Sequence, residues 1–279
     1  MGQISQDLKD ALAGRIAALE ASLAAAQVVQ TNPSGQAPPL GDLPGWQQVF
    51  LDDFSTDVAS WGTCTTYSGG RDCPSLPAEY RSRWWAYPTS YNDTREKLSG
   101  DGGVYTPANI SCHDSMLHMT LRRVNGTGQS CAPIPKLPNG DQTYGRYAVR
   151  FRAETSAYFK VAWLLWREQQ NWGEIDFPEA DLDGTISAFN HHSGGGQSGY
   201  STTVPMSGDW HTAVIEWTPG LVRFLLDDVE IGRDTGSNVP SGAMSWVLQS
   251  ETKLSGSLPA DVPDTSIFID WVAVWSYAP

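Results

Sequence analysis

Two hydrophobic periods divide the chain. Over residues 3–29 apolar side chains recur every three or four positions, at Ile4, Leu8, Leu12, Ile16, Leu19, Leu23 and Ala26, and alanine fills most other positions. That spacing predicts a helix with one apolar stripe. A lone helix of this length is marginal in water, so the stripe needs a partner. Its near-heptad spacing points to a short coiled coil over 1–30, a trimer for instance, or attachment to a larger assembly; packing back on the rest of the chain is the alternative. Residues 31–45, TNPSGQAPPLGDLPG, hold four prolines and three glycines and read as a linker.

From Trp46 to Pro279 the period falls to two. Runs such as YAVRFRAE (147–154), HTAVIEW (211–217), VRFLLDD (222–228) and SIFIDWVAVW (266–275) alternate apolar with polar residues or read as buried strands. Clusters of Gly, Pro, Asn, Asp and Ser separate them. Many short strands at this spacing predict one all-β domain over 46–279, a sandwich, jelly roll or barrel.

Composition narrows the partners. With 31 acidic against 18 basic residues the formal net charge is -13, and no basic patch is visible. Nucleic acid is therefore an unsuitable partner, and a polyanionic glycan would be repelled unless a local basic cleft overrode the net charge. No run approaches 18 apolar residues, so nothing predicts a membrane helix. The chain is rich in tryptophan, with 12; these serve either a sandwich core or sugar-stacking faces in a cleft.

Four cysteines fall in two close pairs, Cys64 with Cys73 and Cys112 with Cys131. Their spacing does not suit zinc. Two disulfides closing short loops are the better reading, although three connectivities are formally open. Disulfides imply an oxidising location, yet Asp7, Lys9, Asp10, Arg15 and Glu20 interrupt any signal-peptide core. The expectation is an extracellular or virion-associated protein.

The chemistry concentrates in Trp172-Gly-Glu-Ile-Asp-Phe-Pro-Glu179, which packs three carboxylates into six residues. On a strand Glu174 and Asp176 point to the same face. Glu179 joins them only if the strand bulges, and Pro178 is tolerated at a bulge. Three crowded acids repel one another, so a cation or a reaction must need them. Ca²⁺ would ask for six to eight oxygens, and the flanking Ile, Phe, Trp and Pro supply few. The alternative is a glycosidase pair, one carboxylate attacking the anomeric carbon and another protonating the leaving oxygen. Flat strand spacing of roughly 16 Å is too long for that pair, and the bulge must shorten it.

The motif E-x-D-x-x-E, standing as Glu174-Ile-Asp176-Phe-Pro-Glu179, resembles the signature of glycoside hydrolase family 16 in its bulged form. TYGRYAVRFRAE (143–154), VAWLLW (161–166), DWHTAVIEWTPG (209–220), VRFLLDDVEIG (222–232) and SIFIDWVAVWSY (266–277) are similar to the family's strands in order, and LDDF (51–54) to its opening segment. Pro178 and the tandem His191-His192 depart from the family pattern.

This resemblance implies a concanavalin A-like β-jelly roll of two curved sheets with a cleft across the concave one. It implies Glu174 as nucleophile, Glu179 as general acid/base and Asp176 between them, with no cofactor for catalysis. Sugar-binding positions would be Trp172, Trp166 and Trp163, one of His191 and His192, and Asn190. Composition alone, apart from the resemblance, adds Arg83, Trp84 and Trp85 of an early loop as further cleft-lining candidates. Asp270 would sit at a structural Ca²⁺ on the convex side, or be a capped or salt-bridged aspartate. The activity implied is endo-hydrolysis of a neutral β-linked polysaccharide, β-glucan or β-galactan. A lectin-like adhesion module on the same fold is the alternative, and a phage tail or virion protein would combine the two with the N-terminal helix.

Overall fold

The computed structural model describes residues 15–16, 32–167 and 173–279. Two compact units divide the chain, residues 1–37 and 38–279. Of the helix predicted over 3–29, Arg15 and Ile16 are described, and both are helical; the rest of the apolar stripe lies outside the described residues. The second unit begins inside the segment expected to be linker. Gln48 donates from Nε2 to the Pro39 carbonyl and accepts at Oε1 from the Gly41 N–H, both at 2.8 Å, and Trp275 Nε1 donates to the Gly41 carbonyl at 2.9 Å. Residues 38–45 therefore belong with the domain.

The second unit is built of strands. In chain order they are β1 (Trp46–Asp52), β2 (Trp84–Ala86), β3 (Gly103–Tyr105), β4 (Ile110–His113), β5 (Met116–Val124) and β6 (Thr127–Ser130). There follow β7 (Pro133–Pro135), β8 (Gly145–Ala153), β9 (Phe159–Trp166), β10 (Glu174–Asp181), β11 (Thr185–His191) and β12 (Gln197–Pro205). The last are β13 (His211–Thr218), β14 (Leu221–Leu226), β15 (Val229–Thr235), β16 (Ser245–Thr252) and β17 (Thr265–Tyr277). The larger sheet has the order β15-β14-β13-β8-β17-β5-β6-β3, with β1 also on β17 and β4 also on β5. The smaller has the order β12-β11-β10-β9-β16, and β2 pairs with β7. Only the β3–β6 ladder is parallel among these pairings.

The two sheets face each other through aromatic contacts. Phe151 of β8 meets Trp163 of β9 edge-on at 4.9 Å, Tyr147 of β8 meets Trp246 of β16 at 5.4 Å, and Phe177 of β10 meets Phe224 of β14 at 5.6 Å. Edge-to-face geometry at these separations adds to the area that each ring buries. Eight of the twelve tryptophans are fully buried (Trp61, Trp84, Trp85, Trp163, Trp217, Trp246, Trp271 and Trp275), so tryptophan serves the core first. The molecule is an all-β sandwich of jelly-roll type, as the strand pattern predicts.

One expected disulfide forms and the other does not. Cys64 and Cys73 are bonded, whereas Cys112 and Cys131 are free and buried. The register explains the correction. Cys112 of β4 lies opposite Leu117 of β5, while the Cys131 thiol rests 3.9 Å from the Thr120 carbonyl farther along the same strand. Three positions of strand put them roughly 10 Å apart, beyond the span a disulfide bridges. Burial pushes both thiols up, Cys112 to about 12, so neither is a ready thiolate.

Candidate active site

β10 carries the three carboxylates, and its pairing shows how. Glu174 lies opposite His191, Asp176 opposite Phe189 and Glu179 opposite Ser187 of β11. The register shifts between Asp176 and Glu179 against both β11 and β9, at the cis Phe177–Pro178 bond. The extra residue restores parity, so Glu174, Asp176 and Glu179 all line the cleft while Ile175 and Phe177 go to the core. Gly173 makes the approach possible: at φ +85° a Cβ would stand 2.6 Å from both the His191 carbonyl and the Pro240 ring.

The acids differ sharply in surroundings. Asp176 is 2% exposed, and burial first, then the Glu179 charge, pushes it well above the usual carboxylate range. Its Oδ2 shares a hydrogen bond of 2.9 Å with His191 Nε2. Glu174 is pushed up to about 8, by burial and then by the neighbouring Asp176. The two carboxyls are close enough to titrate jointly. Glu179 instead meets Lys160 of β9, whose Nζ donates to Oε1 at 2.5 Å. Lys160 also lies 3.7 Å from Glu251 of β16, and Glu251 Oε2 accepts from the Thr94 N–H at 3.2 Å. Burial opposes the Lys160 charge, but Glu179 and Glu251 together hold its ammonium above the usual lysine range.

The cleft has a volume of about 990 Å³ and is floored by alternate residues of the smaller sheet: Lys160, Ala162, Leu164 and Trp166 of β9, and Ser245, Val247, Gln249 and Glu251 of β16. Its wall brings Trp85 from β2 and Tyr67, Arg71, Tyr87 and Tyr91 from the loops before β3. The Cys64–Cys73 disulfide closes the loop bearing Tyr67 and Arg71. There the Arg71 guanidinium lies 4.0 Å over the Tyr67 ring and pairs with Asp141 at 3.0 Å. Tyr67 is 48% exposed and presents the open aromatic face.

The expected sugar-binding residues divide by strand parity. Trp166 and His191 line the cleft. Trp163 does not: it is one step out of phase with Ala162 and Leu164, faces the other sheet and is fully buried. Asn190, expected in the cleft, faces away too, donating at 2.7 Å to Asp234 and at 3.1 Å to the Asn238 carbonyl. His192 also lies off the cleft, with Nε2 3.1 Å from Ser198 Oγ. Trp85 reaches the wall but is 1% exposed, its indole N–H tied to the Thr65 carbonyl. Trp84 is core, donating to Asp52, which also pairs with Arg83. Trp172 lies outside the described residues. Sequence reasoning missed Tyr67, Arg71, Lys160, Gln249 and Glu251; only the cysteine pair flanking Tyr67 and Arg71 signalled a shaped loop.

Metal ligation by these groups meets limits of chemistry. Glu174, Asp176 and His191 gather ligand atoms within 4.8 Å, but only two are oxygen donors, and Glu179 is already engaged by an ammonium. That set falls short of a calcium shell. Asp270 is fully buried in β17, where the pairing with β8 is irregular. Among the described residues no group of three His, Cys, Asp or Glu ligands includes it. A Ca²⁺ there would draw its other ligands from main-chain carbonyls and water.

Comparisons with known proteins agree with this arrangement. A family model for glycosyl hydrolases family 16 matches residues 102–271. A β-glucanase of Rhodothermus marinus is 24% identical over 206 residues, covering 66% of this chain and 64% of that protein. A β-glucanase of Acetivibrio thermocellus is 24% identical over 143 residues, covering 49% and 42%. The chain thus spans less than two thirds of either relative's length. Among solved structures, the laminarinase from Rhodothermus marinus superposes with a TM-score of 0.63 at 20% identity, covering 84% of this chain and 98% of that one. The endo-1,3-β-glucanase from Streptomyces sioyaensis gives 0.62 at 20%, covering 88% and 100%. A protein from work on gut-bacterial endo-acting O-glycanases gives 0.64 at 18%, covering 86% and 94%. At these identities the structural likeness is one of fold.

Proposed function

The chain belongs to glycosyl hydrolases family 16, and on that premise we propose that it is an endo-acting retaining glycosidase for a neutral β-linked polysaccharide, of β-glucan or β-galactan type. One observation carries the reading: a bulged strand turns Glu174, Asp176 and Glu179 together onto the floor of an open cleft of about 990 Å³. An open groove suits attack within a polymer rather than at its end.

In the first step Glu179 gives a proton to the glycosidic oxygen as that bond breaks, and Glu174 bonds to the anomeric carbon. In the second, water attacks that carbon, gives its proton to Glu179 and displaces Glu174. Glu174 attacks as the anion, and Asp176, held by its His191 hydrogen bond, lies beside the nucleophile and orients it. Trp166 and Tyr67 supply flat faces for pyranose rings.

The test is incubation with barley mixed-linkage β-glucan, laminarin and a β-galactan, following soluble products and their first-formed anomer by proton NMR. Release of β-anomers that later mutarotate supports the reading, and α-anomers formed first would mean inversion. Binding of one polymer without release would favour an adhesion module.

The Cys64–Cys73 disulfide suits an oxidising setting, outside the cell or on a virion tail. The apolar stripe over residues 3–29 would tether or oligomerise the domain there. Light scattering on the chain with and without residues 1–37 should give a multimer and a monomer respectively; monomers in both would remove the oligomerisation role.

A further inference from the structure

Lys160 is the least expected group in the cleft. It is 6% exposed, in a strand otherwise apolar, and burying an ammonium is costly unless partners compensate. It has two, on opposite neighbouring strands. Glu251 stands directly across from it on β16, and Glu179 lies on β10, where Asp181 is its opposite number. Nζ touches Glu179 Oε1 at 2.5 Å and is 3.7 Å from Glu251 Oε1. Glu251 is itself fixed, 2% exposed with its other oxygen on the Thr94 N–H. A flexible four-carbon stem with three rotatable donors can exchange between two such acceptors with little displacement.

The exchange has a chemical use, which rests on the reading of Glu179 as acid/base. That role needs Glu179 protonated when the glycosidic bond breaks and ionised when water attacks. An ammonium held permanently at 2.5 Å would favour only the ionised form. We infer that Lys160 is a positioning residue that moves between Glu179 and Glu251, sitting on Glu179 while that carboxylate is ionised and on Glu251 while Glu179 carries its proton. The second acceptor is what keeps a buried ammonium compensated during the protonated half of the cycle. Without Glu251, Lys160 would have Glu179 as its one nearby acceptor; without Lys160, Glu179 would lose its contact cation.

Other charges facing the site do not duplicate this role. On β10, burial first and the Glu179 charge after it raise both Glu174 and Asp176, and Asp181 is engaged by Lys253 at 3.3 Å. On β11, His191 bonds Asp176, and Ser187 stands opposite Glu179. Beside β16, Asp93 is buried and caps the helix Thr94–Ser99 through Glu96 N–H, while Lys97 of that helix is exposed on the cleft rim.

The test follows the ¹³C signal of the Glu179 side-chain carboxyl through a pH titration of the full chain, assigned with a Glu179→Gln variant. Lys160→Met should move the midpoint upward, the direction in which removing an opposite charge at contact acts. Glu251→Gln should move it downward, because it leaves Lys160 a single acceptor. Fixed charges alone would give opposite shifts, so the exchange is read from the Lys160 Nζ resonance. A change that follows the Glu179 midpoint in wild type and is lost in Glu251→Gln supports it; an Nζ resonance that ignores the Glu179 titration, or follows it equally in Glu251→Gln, overturns it. If Lys160→Met does not fold, wild type and Glu251→Gln decide. The signal needs no turnover, so it is separable from the assignment beneath it. That assignment fails on its own if Glu179→Gln hydrolyses barley β-glucan as well as wild type, whatever the titration shows.

Discussion

A Glu174→Gln protein is expected to lose turnover by about 10⁴-fold or more, the scale on which removing an activated nucleophile acts, and yet to melt at a higher temperature than wild type in alkaline buffer. The first half follows from the amide's inability to bond to an anomeric carbon. The second follows from the protonation of the site. Glu174 sits at about 8 in the folded chain against an ordinary value of 4.5, because burial and then Asp176 disfavour its anion. Between those two values the folded state binds more protons than the unfolded state, so stability falls as pH rises. Below the unfolded value the carboxyl is neutral in both states and contributes no difference; above about 8 the full penalty is present. A neutral amide escapes it and also removes a like charge from Asp176. The gain in melting temperature over wild type should be absent near pH 4, grow through pH 6 and level off above pH 8. Thermal scans at those three pH values would show it. An inactive variant with no such gain would mean that the carboxyl is not disfavoured in the folded chain; an active variant would remove Glu174 from the chemistry.

That coupling of lost stability to chemistry explains which parts of the site were legible in the sequence. The bulge at Pro178 was legible because strand parity is a local rule and Glu179 breaks it by one position. The same rule placed one of His191 and His192 in the cleft without saying which, since parity gives the alternation and not its phase. It failed for Trp163 and Trp166 because VAWLLW has no polar residue to mark a face: the cleft floor is itself apolar, with Ala162, Leu164 and Val247. The second disulfide was a spacing argument, and spacing along the chain does not reveal that Cys112 and Cys131 meet the same strand three positions apart. Lys160 was invisible for a related reason. A single lysine near the start of a strand reads as solvated, and only the order β10-β9-β16 puts a carboxylate on either side of it. Net charge is silent about the cleft in a similar way: the acidic total does not show that Arg71, Lys97, Lys160 and Arg167 stand there among five carboxylates.

Two tryptophans three residues apart on β9 should therefore respond in opposite ways to truncation. Trp163→Ala removes a fully buried indole packed edge-on against Phe151 at 4.9 Å. Losses for such changes run to about 3–5 kcal/mol because a cavity remains where the ring was. At about 2–4 °C per kcal/mol for a domain of this size, the melting temperature should fall by roughly 6–20 °C. The Trp163 indole N–H is buried without an acceptor, so its removal relieves one unsatisfied donor and pulls the loss toward the lower end. Trp166→Ala opens no interior cavity, because that ring borders the cleft at the end of the strand. It should leave the melting temperature within a few degrees and raise KM on a cleaved polymer about tenfold, equivalent to ~1.4 kcal/mol of lost stacking, with kcat changed less. Measuring melting temperature, KM and kcat on both variants separates the roles. The opposite pattern, a stable Trp163→Ala with weakened substrate affinity, would put the sugar-binding face of β9 on the wrong side of the strand and with it the phase of the whole cleft floor.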